Sequence, residues 1–376
     1  MRKFLVLVIV LSFVLAPFAV LPAAAQDDEK RWDGADDLPV NPLPCGDEEA
    51  PAPEPKDYDG GQPVDPPDLA GQDIVLVDVP KLIGIGYFAA TTLGQQQAAE
   101  ELGNVEVTTD APTEGNIDEQ ITFIDNYITQ GVDGILFAAN DPVAIGPVLT
   151  KALEAGIHVV GYDANSVPEA REWFVNQAEF NGIAKALLDS LAAEKGEDAK
   201  FGIVTSTFTT PNQARWISEM WAYTNQCFPE MTWLETLEAQ EDNNLSFEAT
   251  KTLIAKYGDE LDGVFGMTSV ATPAGADAVT QEGVCDQVSV IGLALPSAMK
   301  PFVESGCVQH VVLWNAVDLG YAAVYAMRAV VDGTLKPGDT ELEAGRLGTL
   351  QIINGSEILL GPPTIFTPEN INDFDF

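Results

Sequence analysis

The chain has 376 residues, and its 18 Lys and Arg against 58 Asp and Glu give a formal net charge of −40. A field of that sign repels nucleic acid and anionic lipid, so neither is expected as a partner, and the surplus reads as a solubilising surface. Two histidines and the absence of H-E-x-x-H, G-x-S-x-G and G-x-x-x-x-G-K-[ST] patterns leave nothing that supports an enzyme, a metal or a cofactor.

Met1-Arg2-Lys3 precedes an apolar run over 4–21 that ends in Ala23-Ala24-Ala25. A short basic start, an apolar core and a small-residue end describe a secretory signal peptide over 1–25, with an uncleaved anchor as the alternative. No later stretch approaches the roughly 20 apolar residues of a transmembrane helix. The expected location is therefore periplasmic or extracellular, with membrane contact only through a partner or that anchor. Residues 26–70 are dense in Pro, Asp and Glu and read as an extended acidic linker. Within it, Asp57-Tyr58-Asp59-Gly60 lacks the ligand spacing of an EF-hand loop. The remaining length, about 300 residues, suits two lobes.

From 73 onward, strand-like and helix-like patterns alternate. The strand candidates are 73–80, 105–109, 134–141 and 157–163; helical patterns lie around 92–102, 117–131 and 142–156. Short apolar runs between amphipathic helices make βαβ units and a parallel sheet. After 177 the alternation resumes, with helices at 180–196, 211–226, 246–258, 272–283, 297–306 and 318–333. The strands between them are 201–207, a short one at Trp233-Leu234, 263–268, 288–294 and 308–314.

Ligands of such sheets bind beyond the carboxyl ends of the strands. Those ends are polar in both halves: Lys81, Asn140, Asp141 and Asp163, then Ser206, Thr207, Thr268, Ser269 and Asn315. Two sheets facing one another across a cleft, around a small, polar, uncharged ligand, is the reading these ends support. Asp163 and Asp141 can accept hydroxyl hydrogens in charge-assisted bonds, Lys81 can donate, and Asn140, Gln213 and Asn315 can do either. Tyr87, Phe88, Phe208 and Trp314 are candidates to cover an apolar ring face.

Other motifs carry less. Gly84-Ile85-Gly86-Tyr87-Phe88-Ala89 fits a dinucleotide fingerprint, but four residues separate it from the strand that should lead directly into it. His158 and His310 sit inside apolar runs and read as packed positions. The four cysteines match no zinc spacing, and an even count in an exported chain implies disulfides. Cys285 and Cys307 each stand just before a β-like run. If those strands are parallel neighbours, their starts are close enough to bridge, which leaves Cys45 to join Cys227 and pin the linker to the body.

The stretches PKLIGIGYF (80–88), APTEGNIDEQITFIDNYITQGVDGILFAANDP (111–142), VVGYDANSVPEAREWFVNQ (159–177), LPSAMKPFVESGCV (295–308), LWNAVDLGYAAVYA (313–326) and FTPENINDFDF (366–376) resemble the type 1 periplasmic binding proteins of sugar importers. Within that group, the resemblance is to the branch of rhamnose-binding proteins and the periplasmic autoinducer-2 receptor. It implies an α/β fold of two Rossmann-like lobes with parallel sheets, joined by a three-stranded hinge, closing on a sugar and presenting it to an ABC permease. A chemoreceptor or signalling protein for autoinducer-2 or a sugar is the alternative. On this mapping the lobes are 71–177 plus 315–340 and 178–314 plus 341–376, with crossings near 176–179, at 314–315 and within 336–349. The receptors' cleft lysine falls on Lys81 and their aspartate on Asp163. Their Asp-Gln pair falls on Asn212-Gln213 ahead of Trp216, and their Pro-x-Ala on Met267-Thr268-Ser269, so one carboxylate and both small-residue positions are replaced. These departures favour a monosaccharide or deoxysugar.

Overall fold

The computed structural model describes residues 38–46, 56–62 and 69–376; the expected signal peptide and most of the linker lie outside the described residues. The first lobe opens with β1 (Ile74–Val79), α1 (Gly86–Leu102), β2 (Val105–Thr109), α2 (Ile117–Gln130), β3 (Gly134–Phe137), α3 (Gly146–Glu154), β4 (His158–Tyr162) and β5 (Trp173–Asn176). The second contains α4 (Phe180–Lys195), β6 (Lys200–Thr205), α5 (Pro211–Cys227), β7 (Thr232–Glu238), α6 (Asn243–Tyr257), β8 (Gly263–Gly266), α7 (Ala271–Glu282), β9 (Ser289–Gly292), α8 (Pro296–Glu304) and β10 (Val311–Leu313). The chain then adds α9 (Ala316–Val331), β11 (Glu341–Glu343), β12 (Thr349–Ile353), β13 (Glu357–Leu359) and β14 (Thr364–Phe366).

Both lobes use one strand order. In the first sheet β2, β1, β3, β4 and β5 lie side by side in parallel, and in the second β7, β6, β8 and β9 do the same, with β10 joined to β9 through a Leu293–Val312 bridge. β3, β4, β5, β8 and β9 are buried throughout, as strands covered on both faces must be. The connection leaving β1 runs toward β2 and that leaving β3 runs the other way toward β4, and those leaving β6 and β8 diverge likewise, so each lobe has a crevice at the carboxyl ends of its central strands.

Local signals explain several element ends. Asn116 caps α2 by accepting from the Asp118 and Glu119 N–H groups, two acidic residues follow in its first turn, and Gly131 ends it at φ 74°. α1 begins at Gly86, six residues ahead of the pattern that announced it, so Tyr87 and Phe88 sit in its first turn. Gly94 of α1 and Gly320 of α9 lie against each other's helix backbone, where a Cβ would collide with Val317 and Thr91 carbonyl oxygens. At the start of α1, Tyr87 lies edge-on to Trp314, just ahead of α9.

One boundary is corrected. The expected return to the second lobe within 336–349 does not occur, because β11, β12 and β13 extend the first sheet, β13 pairing in parallel with β5. The third crossing is 360–363; Leu360 N–H bonds the Asn176 carbonyl of the first crossing at 2.8 Å, and only β14, antiparallel to β10, belongs with the second lobe. The segment 341–359 holds only a single 3-10 turn, Gly345–Leu347, and no α-helix long enough to cross over the sheet, so it meanders antiparallel along the edge it reaches.

Two pieces of the expected linker are docked rather than free. Cys45 is bonded to Cys227, and Asn41 meets the Glu219 carboxylate through its N–H and the Asn181 amide through its carbonyl. Tyr58 packs on Trp173 and donates to the Glu172 carbonyl, while Asp59 bonds Ser356. The second disulfide joins Cys285 to Cys307, ahead of neighbouring β9 and β10. His158 is buried against the Glu172 carboxylate, and His310 pairs with Glu194.

Candidate functional site

The two crevices meet in one cavity. Lys81, just past β1, Tyr87 and Phe88 of α1, and Asp163, just past β4, come from the first lobe. Asn212, Gln213 and Trp216 of α5, Glu241 beyond β7, and Met267, Thr268 and Ser269 beyond β8 come from the second, and Trp314 stands at a crossing. Eight of the twelve sequence candidates therefore line it: Lys81, Tyr87, Phe88, Asp163, Asn212, Gln213, Ser269 and Trp314.

Four candidates stand elsewhere. The Asn140 amide donates to the Lys81 carbonyl at 2.9 Å and to Gln120, whose own amide binds the Val79, Pro80 and Ala138 carbonyls. Asn140 thus braces the loop that carries the lysine. Asp141 accepts from the Val143 and Ala144 N–H groups and is spent on its own turn. Phe208 packs half-buried on the core. Asn315 caps α9, accepting from Val317 and Asp318, and faces a separate groove with Gln97 and Arg346.

Charge is concentrated and dry. Lys81 Nζ lies 2.7 Å from Glu241 Oε1 and 3.6 Å from Asp163 Oδ2, with all three side chains 7 % exposed or less. One cation thus faces two carboxylates. Burial pushes the Asp163 carboxyl up; the Lys81 charge and the Tyr87 hydroxyl oppose that without reversing it, and Glu241 adds to it. For Lys81 burial acts downward, yet Glu241 and then Asp163 hold the ammonium above its ordinary range. Burial and the Asp163 charge raise Tyr87 well above its usual value, so its hydroxyl stays protonated. It donates to Asp163 at 2.9 Å and accepts from Trp314 Nε1 at 2.9 Å.

The backbone is strained where these groups are presented. Asp163 has φ 58°, and Gln240 and Glu241 have φ 52° and 53°. Non-glycine residues held there mark positions that the surroundings over-determine, often at ligand sites. Gln213 accepts from the Thr205 hydroxyl and the Ser206 N–H and donates to Glu241 at 3.2 Å, tying the second lobe's polar groups together. Asp163 Oδ2 and Trp216 Nε1 are buried with no hydrogen-bond partner. Such orphans are rare in packed interiors and call for an explanation.

Space in the cavity open to the centre of a water molecule is about 30 Å³, about two waters' worth. An outer groove of about 930 Å³, lined by Gly84, Glu114, Asn116, Asp242 and Leu245, shares Ile85, Glu241 and Ser269 with it and leads inward. The walls combine a cation, carboxylates, amides and hydroxyls with aromatic faces, Trp216 and Trp314 having centroids 5.7 Å apart. That set can bond a ring of alternating donors and acceptors and cover its apolar side.

Seven further residues complete the lining: Ile85, Trp216, Glu241, Met267, Thr268, Leu293 and Leu313. The sequence puts Thr268 at a polar strand end and Trp216 and Met267 in the mapped motifs without counting them as ligand contacts, and it misses Glu241. For Glu241 a signal existed: it is the carboxylate just past the end of β7, once that strand is carried on to Glu238.

Residues 77–335 match the family model described as periplasmic binding protein domain. The chain belongs to that family. Among solved structures, an ABC transporter solute-binding protein from Clostridium phytofermentas with bound L-rhamnose is 29% identical, with TM-score 0.75 over 81% of this chain and 98% of that one. LsrB from Clostridium saccharobutylicum, in complex with AI-2, superposes with TM-score 0.76 over 81% of this chain and 100% of that one at 22% identity, a likeness of fold. Among characterised proteins, the D-ribose/D-allose-binding protein of Pseudomonas aeruginosa is 26% identical over 201 residues, 51% of this chain; the match spans 61% of that relative's length.

Proposed function

We propose that this protein captures a monosaccharide or deoxysugar between its lobes, outside the cytoplasm, and presents it to an ABC permease without chemistry of its own. The observation that carries this reading is the meeting, at the strand ends of both sheets, of charged and amide hydrogen-bonding groups with aromatic walls, where Asp163 Oδ2 and Trp216 Nε1 lack hydrogen-bond partners. A hydroxylated ring supplies a donor for the first and an acceptor for the second. Membership of the family and the rhamnose-bound relative support the same class of ligand. Contacts drawn from both lobes favour the closed form over the open one, and that differential affinity is what lets a permease read occupancy.

The test is a thermal-shift panel on the purified chain with L-rhamnose, D-ribose, D-allose, D-arabinose, D-fucose and D-tagatose, after denaturation and refolding to strip any passenger. A true ligand at a hundredfold excess over its Kd stabilises the fold by about 2.7 kcal/mol. A panel that leaves the melting temperature unmoved counts against the sugar reading, and a shift with autoinducer-2 instead selects the signalling alternative.

A further inference from the structure

Among the described residues lining the cavity, Glu241 makes the one ion pair between the lobes: its carboxylate belongs to the second, and its strongest contact, Lys81 at 2.7 Å, belongs to the first. Its other contact, the Gln213 amide at 3.2 Å, stays within its own lobe. Asp163, by contrast, is reached by Lys81 and Tyr87 from its own side of the cleft, and across it only by Asn212 at a long 3.4 Å. Opening the lobes therefore leaves the Glu241–Gln213 and Lys81–Asp163 contacts standing and breaks the Lys81–Glu241 pair.

The loop that delivers Glu241 is built to hold it there. Residues 240 and 241 are both left-handed, a conformation non-glycine side chains resist. They are kept in it by the Ala239 and Gln240 N–H groups bonding the Ser206 carbonyl and by Asp242, which bonds back to Ala239 and caps α6 through Leu245. A strained, braced loop aiming a carboxylate into a dry cleft is a constructed feature, not a solvated surface charge. The carboxylate also sits where the second lobe otherwise offers only neutral groups, Asn212, Gln213, Thr268 and Ser269.

We propose that Glu241 is a specificity-determining residue with two states: an inter-lobe latch to Lys81 when the cleft is empty, and the second lobe's charged acceptor for ligand hydroxyls when it is filled. The second half rests on the sugar-binding reading; the first does not. A ligand must exchange for the Lys81–Glu241 pair, its hydroxyl hydrogens replacing those of the ammonium on Glu241 while Lys81 turns its own to ligand oxygens. Only a ligand that offers donors to Glu241 and acceptors to Lys81 at once recovers both, so the pair discriminates against sugars lacking either.

The latch is tested without any sugar. Spin labels placed at Val143→Cys and Leu245→Cys, exposed positions past β3 and at the start of α6, report the distance between lobes in the full chain with both disulfides intact. The ligand-free parent is expected to show a short-distance population that Glu241→Gln removes, shifting the distribution outward by several ångströms. Glu241→Asp, which keeps charge but loses reach, should do the same, and Lys81→Met added to Glu241→Gln should open the lobes no further. Superimposable distributions for the parent and Glu241→Gln overturn the latch. The acceptor half is read by calorimetry with whichever panel sugar shifts the melting temperature: Glu241→Gln is expected to weaken it at least tenfold, and unchanged affinity overturns that half. If no panel sugar binds the parent, the sugar reading falls with the acceptor half, and the distance measurement still decides the latch.

Discussion

The first lobe brings charge to the cleft from two central strands, and the second brings it from one edge loop. Lys81 and Asp163 follow β1 and β4, strands buried inside the sheet, and the Asn140–Gln120 network braces the lysine's loop from behind. Glu241 follows β7, the edge strand of the second sheet, on a strained turn held by Ser206 and Gln213. On the proposed sugar-binding reading, the contrast implies a division of labour: the first lobe would be a preset platform that fixes the ligand, and the second would carry the group whose contacts depend on closure.

The sharpest way to break that comparison is Asp163→Ala. It removes the first lobe's acceptor, leaves Lys81 with Glu241 alone, and is expected to weaken sugar binding by 100-fold or more, on the order of 3 kcal/mol, as for a lost charged hydrogen bond in a dry site. The melting temperature of the empty protein should fall only slightly, because relief of a desolvated carboxyl offsets part of the cost of leaving the Tyr87 hydroxyl without its acceptor. Calorimetry that finds near-parent affinity would place recognition outside the first lobe.

Gln213→Ala tests the second lobe's side. It deprives Glu241 of its intralobe brace and leaves the Ser206 N–H without its acceptor, so about tenfold weaker binding is expected, roughly 1.4 kcal/mol. An effect equal to that of Asp163→Ala would erase the proposed asymmetry. Asn140→Ala should have the smallest effect on affinity of the three, a few-fold, because the Gln120 amide still holds the Pro80 carbonyl and only one of the supports under Lys81 is lost.

The same asymmetry governed what the sequence revealed. Strands buried on both faces are runs of apolar residues with an abrupt polar end, so 73–80 and 157–163 pointed straight at Lys81 and Asp163. β7 reads Thr-Trp-Leu-Glu-Thr-Leu-Glu and is only partly buried; an edge strand with charges on its open face looks like a strand at Trp233-Leu234 and like a loop after it. With its end misplaced, the carboxylate beyond it had no reason to be singled out. β11 and β13 are three residues long, too short for any period to register, so nothing in the pattern corrected the third crossing that the resemblance placed too early. Asn315 and Asp141 were polar at strand ends, as the rule required, but each is the residue that must cap the turn or helix that follows. Composition alone does not separate a capping side chain from a binding one.

A last comparison lies within the first lobe, between its two buried aspartates. Asp163 has a lysine, whereas Asp78 of β1 has only neutral partners: it accepts from the Tyr162 and Thr109 hydroxyls at 3.3 Å, and its Oδ1 has no hydrogen bond. Burial pushes the Asp78 carboxyl up to about 7, against the downward pull of the nearby Gln95 amide and of the Tyr162 and Thr109 hydroxyls. The folded protein therefore keeps a proton that the unfolded chain releases near pH 4. Stability from this group is full below about pH 4 and is lost as pH rises through 7, with a slope of at most about 1.4 kcal/mol per pH unit. Asp78→Asn cannot titrate, so relative to the parent its stability should improve between pH 5 and 8, on the order of 2 kcal/mol, while sugar affinity at pH 6 stays unchanged. Denaturant melts at the two pH values check the first expectation and calorimetry the second. Parallel pH profiles for the two proteins would mean that Asp78 remains ionised in the fold, and a lost affinity would mean that the platform under Lys81 and Asp163 extends back to β1 itself.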